Sequence, residues 1–330
     1  MASGTSDEVD LASVPSRVYK VNDGIWSKGP TESWFHWIKV IAKNGNAPVP
    51  TTAAVDIFSG QNVVKTVKFS KEALNAARRN SFNQFAEQKE AYDLSHFFRE
   101  PVALGIDKVL YGLELSTPQG QTVEESVEVP INVYDQKAKL VFPMEGAFVV
   151  VNGWVTDGGH KEWSQHFAYD IVALGEHYEM LKGQGKSVED FVGWGREIVA
   201  PAEGLVTYAR NDVPDQPELD TIDREILANL PDPMWAAGGN CVTIGHGNGE
   251  FSFLAHLQKG TVAVKIGDHV RQGQLLGLLG NSGNSTGPHL HYHLMDGDRI
   301  FRSNGLPSRF ENVEIASPKR GIFLEMSSSR

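Results

Sequence analysis

The chain has 330 residues, enough for two ordinary domains, and 41% hydrophobic against 22% charged residues leaves little room for a long disordered region. Thirty Lys and Arg against forty-one Asp and Glu give a net charge of −11, which argues against general nucleic-acid binding, a process that runs on phosphate neutralisation by basic residues. The single cysteine, Cys241, excludes an intrachain disulfide and a thiolate metal cluster, so any metal site must be built from His and carboxylates.

Residues 1–17 read as a flexible polar tail. They lack an apolar central stretch and so are not a signal peptide as written, and no apolar run in the chain is long enough to span a bilayer. Residues 18–138 follow as an N-terminal β-rich accessory domain. Its β-favouring runs are Trp34–Ala42, Thr52–Phe58, Asn62–Phe69, Lys108–Leu115 and Val127–Val133, separated by turn-prone residues such as Asn44-Gly45 and Gly60. One helical stretch, Ser70–Arg79, has Ser70 as its N-cap and Glu72 in the first turn. The pattern predicts a β-sandwich with one or two short helices. Within it, Trp34-Phe35-His36-Trp37 admits a carbohydrate platform, but a strand whose aromatics fill the core is the stronger reading.

The polar break Asp135-Gln136-Lys137-Ala138 leads into a second domain, 139–330, mainly β and dense in glycine turns. Ser187–Trp194 predicts a short capped helix, and Pro217–Leu230 a second, acidic one lying outside the sheet as a surface excursion.

The chemistry-bearing residues fall in this second half. Gln165–Val172 reads as a strand, on which His166 and Asp170, four apart, share one face. In Pro288–Leu294 the same parity puts His289, His291 and His293 on one face and Leu290, Tyr292 and Leu294 on the other. Three same-facing imidazoles do not suit an apolar core, because each needs hydrogen-bond partners. Two imidazoles and a carboxylate suit catalytic zinc and leave a fourth position for water, whose pKa the metal lowers to about 7. A His-x-x-x-Asp or a His-x-His alone is common by chance; both, in order, on strands of one glycine-rich domain are not.

Residues 141–310 resemble the lysostaphin-type (LytM-like) zinc endopeptidases. The matching stretches begin with His166–Asp170, Val199–Gly204 and Gly239–Gly249, and continue with Ala255–Leu257, Val264–Val270 and Gly280–His291. The resemblance implies a duplicated-hybrid-motif β-sandwich with short helical insertions, and zinc held by His166, Asp170 and His291. His256 and His289 are then the two catalytic histidines beside the water, one accepting its proton and the other donating to the developing oxyanion, in an order left open. It implies a peptide or peptidoglycan substrate, hydrolysis of peptide bonds in bacterial cell walls, and a periplasmic or extracellular place if that substrate is the wall. Two positions depart from the pattern. Leu254 stands where the family often has Tyr, and His293 stands where it often has an acidic residue. His293 reads equally as a group bonded near the ligands or as a strand-end histidine meeting solvent.

Other signals are set aside. Gly283-Asn284-Ser285-Thr286-Gly287 matches a nucleophile elbow, but Pro288 and a strand follow it where that motif needs a helix. Gly185-Lys186-Ser187 mimics the end of a phosphate-binding loop, yet Met180 occupies the place of its first glycine. Val264–Gly277 resembles the hairpin of biotinyl or lipoyl carriers without their lysine turn. His160 is read as a loop histidine, and His246 and His269 as structural or solvent-facing. Against the peptidase reading stand two others: a non-catalytic relative that binds and regulates a cell-wall hydrolase, and a zinc peptidase with a substrate other than the wall. Retention of all three ligand candidates and both catalytic histidines favours an active enzyme.

Overall fold

The computed structural model describes residues 9–26, 29–43, 48–80, 91–153, 160, 164–230, 233–313 and 323–325. The expected Asn44-Gly45 turn lies outside them. The chain divides into two compact units, Met1–Tyr134 and Asp135–Arg330. Both are mainly β, and no helix among the described residues is long and apolar enough to cross a membrane.

In the first unit the strands are β1 (Val9–Val14), β2 (Val18–Trp26), β3 (Gly29–Ala42), β4 (Val49–Ser59), β5 (Asn62–Phe69), β6 (Arg78–Asn80), β7 (Ala91–Pro101), β8 (Lys108–Ser116) and β9 (Thr122–Val133). They hydrogen-bond in one path, β5-β4-β8-β9-β2-β3-β7-β6, with β1 on β3. The parallel β2–β9 contact is the joint that the expectation of a sandwich did not contain: one continuous sheet replaces two separate ones. Trp34 and Ile38 of β3 pack with Val55 of β4 and Tyr111 of β8 in a single core, while Phe35, half-buried, meets Trp37 edge to face. Residues 9–14 are not tail. Val9 and Leu11 sit in or against that core, and β1 runs antiparallel to β3 from Val9 opposite Ala42 to Val14 opposite Trp37. The alternation was hidden by the polar residues between them. Helix α1 (Lys71–Ala77) forms behind Ser70, with the Ala73 N–H donating to Ser70 Oγ at 3.3 Å and Leu74 buried, but it ends before Arg78 and Arg79, which belong to β6.

The second unit holds β10 (Ala147–Asn152), β11 (Tyr169–Ala173), β12 (Glu197–Val199), β13 (Gly204–Arg210), β14 (Asn240–Gly245), β15 (Phe251–Leu257), β16 (His269–Val270), β17 (Leu275–Leu278), β18 (Leu290–Met295), β19 (Gly305–Leu306) and β20 (Phe323–Glu325). Nine of these make one antiparallel sheet, β16-β13-β14-β15-β18-β11-β10-β20 with β19 on β18, while β12 and β17 pair separately. Phe142, Phe148, Tyr169, Tyr292 and Phe310 pack on one another as an aromatic cluster within this unit.

The helices here are shorter than expected. Ser187–Trp194 gives only a 3-10 turn at Val188–Asp190, because the Lys182 and Val192 N–H groups bond Asp190 and Met180 across a bridge of Leu181 with Phe191. In Pro217–Leu230 the helix is α2 (Arg224–Ala228), begun by Asp223, whose carboxylate accepts from the Glu225 N–H at 2.8 Å. Before it, Gln216 is pinned: its Nε2 donates to the Gly283 carbonyl at 2.6 Å and its Oε1 accepts from the Asp223 N–H at 2.8 Å. Helix α3 (Pro233–Gly238) leads directly into β14.

Candidate metal centre

Strand β18 is the centre of the site because it is bonded on both sides. Its register sets His291 opposite Asp170 of β11 and opposite Ala255 of β15. Adjacent strands bring directly opposite Cβ atoms within about 5 Å, and here His291 Nδ1 lies 3.0 Å from Asp170 Oδ1. The same carboxylate oxygen is 3.2 Å from His160 Nε2 and 3.5 Å from His289 Nε2. Its partner Oδ2 accepts from Asn152 Nδ2 at 3.0 Å, across the β10–β11 ladder. One carboxylate is thus steered by an amide on one oxygen and faces three imidazoles with the other.

His160, Asp170 and His291 have ligand atoms that all lie within 4.8 Å of one another. His166 is outside this group. It belongs to the turn Ser164–Phe167, is buried beside Phe167 with ring centroids 4.1 Å apart, and is not among the side chains that line the cleft. The physical reason is where the strand starts. β11 begins at Tyr169, so two-residue alternation does not reach back to position 166. From the sequence, His160 could line the cleft but reads more safely as a loop histidine; no regular period links it to Asp170, ten residues on. Sequence reasoning missed Asn152.

His256 and His289 flank the cluster, with ring centroids 4.6 Å apart. His256 Nδ1 lies 2.8 Å from the Ser282 carbonyl, and His289 Nδ1 lies 2.8 Å from the Gly287 carbonyl. A carbonyl only accepts, so each ring carries a proton on Nδ1, and in its neutral form each leaves the Nε2 lone pair bare. His256 holds this pose with φ at 65°, a left-handed backbone that a non-glycine residue adopts only at a cost of order 1–3 kcal/mol and that clusters at functional sites.

The carbonyls that orient these rings sit on a loop fixed by its own side chains. Ser282 Oγ donates to the Leu257 carbonyl at 2.7 Å and accepts from the Asn240 N–H at 2.9 Å, while Ser285 Oγ donates to Asn281 Oδ1 at 2.6 Å. Ser285 is therefore a loop-building residue, as its sequence context indicated. Beneath the loop two glycines meet: a Cβ on Gly239 would stand 2.4 Å from the Ser282 carbonyl carbon, and one on Gly283 would stand 2.4 Å from the Gly239 nitrogen. Both have positive φ.

The cleft above the cluster has a volume of about 370 Å³ and is lined by His160, Asp170, His256, His289 and His291, with Ile222, Ala237 and Gly238 among its other walls. The acidic excursion lies off the sheet, as expected, yet it supplies Ile222 to the cleft.

Burial sets the charge state of most of these groups. It pushes the His256 pKa well below the ordinary value, helped by His289 and His291, and lowers His291 to about 4. For Asp170 burial acts the other way, but His160 and His289 hold its carboxyl well below the usual range. For His289 burial also opposes the result, and Asp170 raises its pKa. His293 is fully buried, which removes the solvent-facing reading, and burial depresses its pKa strongly. An ionised carboxylate and two imidazoles converging within one ion's reach fit a zinc ion by softness and donor count, and do not fit a hard cation.

Residues 185–301 match the model of Peptidase family M23. That span contains His256, His289 and His291 and begins after Asp170. Among curated proteins, the chain is 36% identical over 104 residues to peptidoglycan DD-endopeptidase ShyC of Vibrio cholerae, covering 28% of this chain and 22% of that one. It is 43% identical over 84 residues to ShyA of the same organism, also a peptidoglycan DD-endopeptidase, covering 25% and 18%. The chain thus spans about a fifth of the length of these relatives. Among solved structures, the catalytic domain of lysostaphin from Staphylococcus simulans aligns at 18% identity and a TM-score of 0.28, over 51% of this chain and 87% of that one. A zinc-containing peptidase from Vibrio cholerae aligns at 13% identity and a TM-score of 0.29, over 88% and 85%.

Proposed function

With a Peptidase family M23 segment at residues 185–301 as premise, we propose that this protein is a zinc-dependent endopeptidase that cleaves peptide cross-links of bacterial peptidoglycan. The observation that carries the reading is the convergence of His160, Asp170 and His291 on one cleft also lined by His256 and His289. The peptidoglycan DD-endopeptidase names of the two Vibrio relatives support the substrate class. On this reading the protein acts where the wall lies, in the periplasm or outside the cell.

Asp170 and His291 hold the metal, with His160 as third ligand in the place the family resemblance implied for His166; the 3.2 Å approach of His160 to Asp170 supports that exchange. Zinc, when bound, supplies Lewis acidity toward a water and the scissile carbonyl. The chain's own residues do the rest. Asn152 holds Asp170 in orientation through Oδ2. His256 and His289 present Nε2 as proton acceptors, each locked by its Nδ1–H on a loop carbonyl. The first imidazole to take a proton then has an Nε2–H to give, either to the developing oxyanion or to the leaving amine.

Incubation of purified peptidoglycan with the protein, followed by mass analysis of released fragments, tests the proposal. The expected result is cleaved peptide cross-links, abolished by a chelator and restored by zinc. Intact peptidoglycan alongside full zinc loading would favour a different peptide substrate, and a protein that takes up no zinc would leave only the regulatory, non-catalytic reading.

A further inference from the structure

His293 lies on β18 two residues past His291, with its Cα paired to that of Phe253. It is fully buried, and its ring centroid is 5.2 Å from that of Phe253. One ring nitrogen, Nδ1, stands 2.9 Å from His291 Nε2. The other, Nε2, is buried with no hydrogen-bond partner among the described residues.

Two imidazole nitrogens at 2.9 Å must share one proton, since two bare lone pairs would repel and two N–H groups would clash. The proton's location matters because His291 points its other nitrogen, Nδ1, at Asp170 Oδ1. In the metal-free protein that nitrogen donates to the Asp170 carboxylate; as a ligand it must be bare, and a neutral ring with bare Nδ1 carries its proton on Nε2. We propose that His293 is the positioning residue of this centre: when a metal is bound, its Nδ1 accepts the His291 Nε2–H and so leaves His291 Nδ1 open toward the metal. The inference rests on the metal assignment above. In this arrangement His293 carries its own proton on Nε2, which is buried with no hydrogen-bond partner among the described residues, a placement that packing alone would fill better with a leucine. Partners of this type orient the ligating imidazole, and their loss typically weakens metal binding by roughly 10–100-fold.

The test compares the full chain with its H293L and H293N variants. Leucine removes the acceptor; asparagine restores one, because its Oδ1 branches from the same carbon as the histidine Nδ1. Zinc dissociation constants are measured by competition, and imidazole ¹⁵N spectra of the metal-free proteins report a coupling across the His291–His293 hydrogen bond. Expected are a coupling in the parent, its loss in H293L with zinc binding weakened roughly 10–100-fold, and recovery in H293N to within a few-fold of the parent. A merely structural role would instead make affinity follow the melting temperature, which H293L has no reason to lower. An H293L protein at parent affinity overturns the orienting role alone. A parent that shows the coupling yet takes up no zinc overturns the metal assignment, and the orienting role with it.

Discussion

His160 and His166 are six positions apart, and the first of them reaches the Asp170 carboxylate, at 3.2 Å. Replacement of each by Ala separates them: H160A is expected to lose stoichiometric zinc while H166A keeps it, by elemental analysis of the folded variants. The reverse pattern would return the ligand role to His166. At the same scale, H256A and H289A should hold zinc at parent levels and lower turnover by about 10²–10⁴-fold, the ordinary worth of a positioned acid–base group. Full activity in both on a substrate that the parent cleaves would end the proposed mechanism. What the sequence made visible here were residues tied by a short period or a matched motif: His289, His291 and Asp170 converge, and His256 joins them. His160 could be read only as a loop histidine able to line the cleft, because no spacing rule ties it to Asp170, and Asn152 was invisible because its approach is made by the β10–β11 pairing.

Among the elements, strands were easier to read than helices. The β3, β4, β5, β8 and β9 runs carry alternating apolar residues, whereas Ser187–Trp194 has helical composition but spends its backbone bonds on a bridge to the preceding segment. The segment joining the two units shows the same lesson. Both Glu250 carboxylate oxygens, buried, accept from the Lys137 and Ala138 N–H groups at 2.7 and 2.6 Å, and the Arg309 N–H donates to Gln136 Oε1 at 2.8 Å. Composition marks this stretch as a polar break; only the fold shows it fastened to the second unit. A fragment beginning at Asp135 should therefore be more stable than one beginning at Lys139 by about 1–3 kcal/mol, the cost of leaving a buried acceptor unpaired. Equal denaturant midpoints for the two fragments would show that the Glu250 contacts contribute nothing. Gln216 offers a companion case. Q216A removes two bonds that tie the excursion to the catalytic loop, and a drop in melting temperature without loss of zinc is the expected outcome.

Across the whole molecule, an unusual share of histidine is buried uncharged. Burial lowers the pKa of His246, His256, His291 and His293 below the ordinary 6.5. The unfolded chain would take up these protons first, so stability is complete above about pH 6.5 and falls as pH drops, by up to about 1.4 kcal/mol per pH unit for each group. His289, with a raised pKa, works in the opposite sense, and its contribution is lost only as pH rises. Asp170, held low, gives way below the carboxylate range and so outside this window. The metal-free protein is thus expected to melt progressively lower between pH 7 and pH 5; a flat profile over that interval would contradict the burial argument. The mainly β class of both units was legible, since alternation survives in single strands. Their pairing order was not, because in the first unit a parallel contact joins β2 to β9 across more than a hundred residues.

The meeting of Gly239 with Gly283 gives the site a vulnerability that none of its reactive groups has. Neither glycine carries a functional atom, yet any side chain at either would drive the two backbones apart and drag along the Ser282 carbonyl and the Gly287 carbonyl, which lock His256 and His289. One methyl group, far down the list of chemical changes, would therefore act on both proposed catalytic histidines at once. In a library randomised at both positions and selected for hydrolysis, sequences should return glycine at both, while a screen for zinc retention should tolerate more. The centre's sharpest mutational intolerance is thus expected at two residues that no chemical reading of the cleft would nominate.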